Sequence, residues 1–426
     1  MIRQASEDVL AEAGQHIVGQ GPAVATGDGD GRARFNARVL ACAQALYGVS
    51  AMVVFTLGGI VGHTLADDKS LSTLPISVML FGTAIATAPA SLLMQRIGRR
   101  SGFLLGTGFG LTGALLAAYA VIAQDFWLFC LGTHLSGYYQ AFAQYYRFAA
   151  ADTASDRFAP RAISWVLAGG VVAAFMGPVV IARSKDALAP AFYAGSFIAV
   201  AAITLAAMVV LTLIDIPRVT ASANGEGGTA RPLLVVLRNR RLLAAIAAGM
   251  ISYGMMSLVM TARPLAMVAC DLSVGDAADT IRWHVVAMYA PSFFTGTLIA
   301  RFGRERIVIV GLLLLAGCAL VALSGVSLAQ FTLALVLLGL GWNLGFIGAT
   351  AIVAECYRPV ERGKVQAFND FMVFGFVSLS SFMSGKLLAI GGWSAVPGVV
   401  IPAVGLALLL IFLLARKPAT AHHIPQ

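Results

Sequence analysis

Apolar runs of about twenty residues, broken by short polar connections that carry most of the arginines, recur from residue 38 almost to the C-terminus. An α-helix rises 1.5 Å per residue, so a run of roughly 20 residues crosses a hydrocarbon core about 30 Å thick. That ruler predicts twelve spans, at 38–64, 73–94, 102–123, 126–150, 161–182, 190–214, 242–269, 281–300, 306–325, 329–354, 365–390 and 394–415. Outside them lie a Gly- and Asp-rich N-terminal segment (1–36), a polar stretch at 216–241 and a short C-terminal tail (417–426). The first segment reads as a disordered cytoplasmic tail rather than a signal peptide, since it has no apolar h-region. The stretch at 216–241 divides the spans six against six, predicting bundles over 37–215 and 242–416.

Composition strengthens this picture. The 426 residues are 59% hydrophobic and 12% charged, against roughly 45–50% and about 25% in soluble domains. A water-soluble fold cannot hide so much apolar surface, which predicts an all-α polytopic membrane protein. Lys and Arg outnumber Asp and Glu by 29 to 20. In a membrane protein this excess gathers in cytoplasmic loops, so no nucleic-acid partner is implied. With the N-terminus inside, 23 of the 29 basic residues fall on the cytoplasmic side, and both termini are expected there. The five cysteines are scattered without a CxxC pair, so neither a disulfide framework nor a metal site is expected. There is no P-loop, GxSxG or HExxH arrangement, and neither a cofactor nor an enzymatic activity is predicted.

The two halves repeat each other. Gln95-Arg-Ile-Gly-Arg-Arg100 follows the second span and Ala300-Arg-Phe-Gly-Arg-Glu305 the eighth, with Gly98 and Gly303 separated by 205 residues. Asp156-Arg157 and Glu361-Arg362 repeat at the same separation. On these residues the chain, over about 37–416, resembles the major facilitator superfamily of secondary transporters, whose loops after spans 2 and 8 read roughly G-x-L-x-D-R-x-G-R-R. The resemblance implies two pseudo-symmetric six-helix bundles around a central cavity. Gln95 and Ala300 stand where the family has aspartate. The cytoplasmic gate is therefore expected to use Arg96, Gly98, Arg99, Arg301, Gly303 and Arg304, paired with Asp152, Asp156, Glu355 and Glu361 beside Arg362.

By the same resemblance the cavity would be lined mainly from spans 1, 4, 7 and 10. Span 4 carries Thr133, Gly137, Gln140, Gln144 and Arg147 on one helical face, flanked by His134 and Tyr138. Unpaired polar groups in hydrocarbon cost several kcal/mol each, so this stripe must face the bundle interior. Gln140 and Gln144 either line the cavity or bond a neighbouring helix. Arg147 is either a cavity group or an interfacial anchor paired with Asp152. Gln44, Tyr253, Ser257, Trp342, Asn343 and Phe346 are the further candidates in spans 1, 7 and 10. Together they describe an amphipathic cavity of amides and aromatic rings, suited to a planar organic solute. For proton coupling the candidates are His134 and Asp370, each with a purely structural alternative: packing for the first, a gate pair for the second.

These readings predict a monomeric secondary transporter of the bacterial inner membrane, moving a small organic solute by alternating access with protons as the coupling ion. Gly177-Pro178 resembles the end of the family's antiporter motif and tips the expectation towards export. The alternatives are proton-coupled uptake of a metabolite or vitamin, and a membrane sensor that keeps the fold without transport.

Overall fold

In the computed structural model, residues 29–155, 158–216, 231–358 and 361–414 are described. Among them nine helices are long and apolar enough to cross a membrane, and a bent pair makes a tenth span. Two more complete the twelve. The last helix, Arg362–Leu414, is broken at Gly392 and so contributes spans 11 and 12. Span 4 is Phe126–Ala143 followed by the short Tyr146–Ala151, and its polar face makes it the least apolar of the set.

The remaining spans follow the apolar runs closely: Leu74–Ile97, Arg99–Ala123, Ala159–Ser184, Ala194–Leu211, Arg240–Ala269, Arg304–Leu323 and Leu328–Glu355 for spans 2, 3, 5, 6, 7, 9 and 10. Several starts are written locally. Asp125 accepts from the Leu128 amide at the head of span 4, and Asn239 from the Arg241 and Leu242 amides at the head of span 7. Ser273 with Asp276 and Ser327 with Gln330 form capping boxes on spans 8 and 10. Each occupies helix-terminal N–H groups that otherwise have no partner.

Span 1 departs from the sequence reading. It is the helix Gly29–Leu65, so it starts inside the segment expected to be a disordered tail. Tertiary contacts hold this first stretch. Arg32 Nη2 lies 2.8 Å from Asp215 Oδ1, the Asn36 amide donates to the Asp215 carbonyl at 2.8 Å, and the Asp215 N–H returns a 3.0 Å bond to Asn36 Oδ1. A polar segment that hydropathy assigns to solvent is thus tied to the end of span 6.

Gly98 and Gly303, the repeated glycines, have φ of 88° and 87° with ψ of 161° and 154°. Side chains with a Cβ are essentially excluded from that region. In both halves the glycine therefore turns one span directly into the next with no intervening loop. A close approach fixes span 4 on span 2: a Cβ on Gly137 would sit 2.0 Å from the Met79 carbonyl oxygen.

Away from the arginine-rich end the halves meet through spans 2 and 11. Ser77 Oγ donates to Ser381 Oγ at 3.1 Å, and Ser378 Oγ donates to the Ser77 carbonyl at 2.9 Å. Gly385 lies so near Thr73 that an added Cβ would fall 2.3 Å from its Oγ1. Spans 5 and 8 meet where Gly170 faces the Tyr289 ring.

Candidate functional site

Between the halves lies a cavity with about 920 Å³ of empty space, part of it open to solvent. Gln44, Tyr47, Met52 and Phe55 come from span 1, Gln140 and Gln144 from span 4, and Gly170, Ala173 and Ala174 from span 5. The C-terminal half supplies Tyr253, Met256, Ser257, Met260 and Thr261 from span 7, with Ile281, Val285, Met288 and Tyr289 from span 8. Among the described residues the lining includes no Asp, Glu, Lys or Arg.

The span 4 stripe divides according to its neighbours. Thr133 is buried and donates to the Cys130 carbonyl, and Gly137 is packed on span 2. Gln140 sits at the boundary, with one side of its amide held by Thr83 at 3.2 Å and the other available to the cavity. Gln144 closes the helix, because the chain breaks there before resuming at Tyr146. Gln44, from span 1, lines the same cavity.

His134 and Tyr138 lie off the cavity. The His134 ring donates from Nδ1 to the Val78 carbonyl at 2.8 Å, and its Nε2 shares a 3.0 Å hydrogen bond with the Tyr138 hydroxyl. Both ring nitrogens are thus engaged, Nδ1 in holding span 4 to span 2 and Nε2 with Tyr138 one turn further along span 4.

Tyr253, half-buried on the cavity wall, is backed by an aromatic cluster. Its ring is edge-on to Trp342 at 5.3 Å, Phe346 at 5.1 Å and Phe374 at 5.6 Å, and Trp342 stacks on Phe346 at 5.4 Å. Span 10 therefore stands behind Tyr253 and gives no side chain to the lining, where the family resemblance led us to expect one. Spans 5 and 8 take that place. Tyr47 and Tyr289 were missed by the sequence reading, because an isolated Tyr in an apolar run carries no periodic signal.

Asn343 is fully buried in a structural role. Pro291 interrupts span 8, whose pieces Val274–Tyr289 and Ser292–Phe302 meet at 43°. Across the break the Asn343 amide donates to the Met288 carbonyl at 2.6 Å and to Ser292 Oγ at 2.7 Å, and Thr295 Oγ1 donates to Asn343 Oδ1 at 2.6 Å. Backbone groups freed within a membrane helix need such partners.

Arg147 and Asp370 come from opposite halves near the arginine-rich end. The Arg147 guanidinium is within electrostatic reach of Asp370 and of the cavity tyrosines Tyr253 and Tyr289, and it stacks over Phe148 at 4.8 Å. Asp370 accepts a 3.0 Å hydrogen bond from Asn369.

At the loop surface two ion pairs echo each other: Arg99–Asp152 at 2.9 Å and Arg304–Glu355 at 2.8 Å. Glu355 also binds Arg241 at 3.0 Å, and Arg241 in turn binds Glu305 at 2.6 Å. Glu361 goes elsewhere than expected. It is fully buried and accepts from Arg231 Nε and Nη2 at 2.6 and 2.8 Å and from the Arg358 N–H at 3.0 Å. These donors, Arg231 foremost, hold its carboxyl at about 2, well below the usual carboxylate range. Arg96 and Arg301 make no ion pair among the described residues, and Arg301 lies over the Phe302 ring at 5.4 Å. Asp156 and the Arg362 side chain lie outside the described residues.

A twelve-helix chain with an uncharged cavity between repeated halves has the form of a secondary transporter rather than an enzyme. The Major Facilitator Superfamily profile matches residues 40–278 and 277–426, and the chain belongs to that family. It is 46% identical to the riboflavin transporter RfnT of Brucella anthropi, over 91% of this chain and 98% of that one. The MFS-type transporter YdeG of Bacillus subtilis, described as uncharacterized, is 28% identical over 82% of this chain and 85% of its own. Among solved structures the xylose transporter XylE from E. coli superposes with a TM-score of 0.70 at 14% identity, covering 92% and 99% of the two chains. The nucleoside transporter NupG gives 0.69 at 15% identity, covering 90% and 99%. At such identities these two define the fold alone.

Proposed function

We propose that this chain takes up riboflavin across the bacterial inner membrane by alternating access, with both termini in the cytoplasm. The observation that carries this reading is its 46% identity with a riboflavin transporter across nearly the whole of both chains. The cavity agrees in kind. Riboflavin is neutral, with a planar tricyclic ring that is apolar at one edge and polar at the other. The lining offers tyrosine rings and carboxamides without a charged group. A charged cargo would have to shed its water against neutral walls, at a cost of several kcal/mol.

The export expected from Gly177-Pro178 gives way here to the vitamin alternative. A vitamin is a scarce nutrient, and inward proton flow is a coupling that can accumulate one. Of the candidate proton carriers, Asp370 is the one we adopt, because its carboxyl lies within electrostatic reach of Arg147 from the other half. His134 already spends both ring nitrogens.

The test is expression in a riboflavin auxotroph that lacks its own importer. Growth on low riboflavin and accumulation of labelled riboflavin are expected, and flavin appearing in the medium instead would restore the export reading. Asp370→Asn should abolish accumulation driven by a pH gradient while leaving exchange of riboflavin across the membrane intact. Unchanged pH dependence would remove Asp370 from the mechanism.

A further inference from the structure

The cavity is chemically lopsided. Its three carboxamides, Gln44, Gln140 and Gln144, all come from spans 1 and 4 of the N-terminal half. On the C-terminal side stand Met256, Met260 and Met288, against Met52 alone on the other; these are soft thioethers that pack on apolar and aromatic surface. Gln140 and Gln144 are four residues apart on span 4, so their side chains project from neighbouring positions on one face. The Gln140 amide is steadied on one side by Thr83, and the Gln44 and Gln144 amides make no hydrogen bond to another described residue. Three amides are thus presented from the N-terminal half with unused donors and acceptors.

A flavin ring has a matching asymmetry. One end is a cyclic imide, with an N–H between two carbonyls; the other is a dimethylbenzene. A carboxamide pairs with an imide edge through two parallel hydrogen bonds, its oxygen accepting from the N–H and its NH₂ donating to a flanking carbonyl. From this we infer that Gln140 and Gln144, together with Gln44, read the imide edge of the substrate, and that the dimethylbenzene end lies towards the methionines of spans 7 and 8. The inference rests on the riboflavin reading and adds to it an orientation and a specificity-determining group.

The probe is 3-methylriboflavin, in which a methyl replaces the imide hydrogen and the rest of the ring is unchanged. Binding of both flavins to the purified full-length protein is read from quenching of flavin fluorescence. The intact protein should bind riboflavin about tenfold more tightly than the methylated compound, the worth of one good hydrogen bond. This comparison needs no variant and so is independent of folding defects. In Gln140→Leu and Gln144→Leu, riboflavin should weaken while 3-methylriboflavin holds, so the ratio falls towards one in at least one of them. If the methyl group acted only by its bulk, the ratio would persist in both variants, and the inference would fail. Equal binding of the two flavins to the intact protein would also overturn it while leaving riboflavin as the cargo. No binding of riboflavin to folded protein would overturn the proposed function as well.

Discussion

Arg99 Nε lies 2.9 Å from Asp152 Oδ2, bonding the turn between spans 2 and 3 to the end of span 4. In the second half Arg304, 205 residues further on, makes the equivalent bond to Glu355 at 2.8 Å. Each pair lies within its own half, so it staples a six-helix bundle and leaves the bundles free to rock against each other. One arginine of each motif copy thus finds its acid at the end of span 4 or span 10, while Gln95 and Ala300 occupy the family's aspartate positions.

The Arg99–Asp152 pair is about a quarter exposed on each side. Pairs open to water are worth roughly 1 kcal/mol or less. A double-mutant cycle with Arg99→Ala and Asp152→Ala should therefore give a coupling energy below about 1 kcal/mol in thermal unfolding. A coupling several times larger would mean that the loop surface is far drier than its exposure implies.

Glu361 sets a different expectation. Its carboxyl ionises at about 2 in the folded chain, against an ordinary 4.5, so it binds protons less readily folded than unfolded. The stability it contributes is complete above pH 4.5 and is lost as the pH falls towards 2. Glu361→Gln should lower the melting temperature in detergent at pH 7, and the gap to the parent should close on acidification through that window. A gap that stays constant with pH would show that the pairing with Arg231 is not what the substitution removes.

Gly98 and Gly303 hold backbone angles open to glycine almost alone. Replacing either with Ala should cost about 1–3 kcal/mol, the usual range for a residue forced into such a conformation. Nothing lies within 4 Å of a Cβ built on Gly303, so strain rather than collision is what Gly303→Ala measures. A melting temperature equal to the parent's would show that the turn relaxes into another conformation.

Asn343 separates support from recognition. Loss of its three bonds across the break in span 8 should make Asn343→Ala the most destabilising of these substitutions, on the order of 3 kcal/mol. The remaining folded protein should bind the cargo proposed above, riboflavin, with an affinity close to the parent's. A large loss of affinity in folded Asn343→Ala would place the residue in recognition, as the sequence pattern first suggested.

Much of this was legible in the chain. Spacing of apolar runs fixes the number of spans because bilayer thickness and helix rise leave little freedom. The 205-residue repeat exposes the two halves and marks Gly98 and Gly303 as equivalent positions, although their shared positive φ appears only in the structure. Gln44, Gln140, Gln144, Tyr253 and Ser257 could be named as cavity candidates because amides and hydroxyls in a span must face inward.

The tertiary structure decided which inward surface each polar group meets. One helical stripe on span 4 serves two neighbours, so Thr133 and Gly137 go to packing while Gln144 goes to the cavity. His134 and Asn343 satisfy carbonyls of spans 2 and 8, and Glu361 turns to Arg231 rather than to the motif arginines. Tyr47 and Tyr289 reach the cavity because of where their helices cross. A sequence records that a polar group must be buried with a partner, since unpaired groups in hydrocarbon are costly; only the packed helices determine whether that partner is another side chain, a backbone carbonyl or the solute.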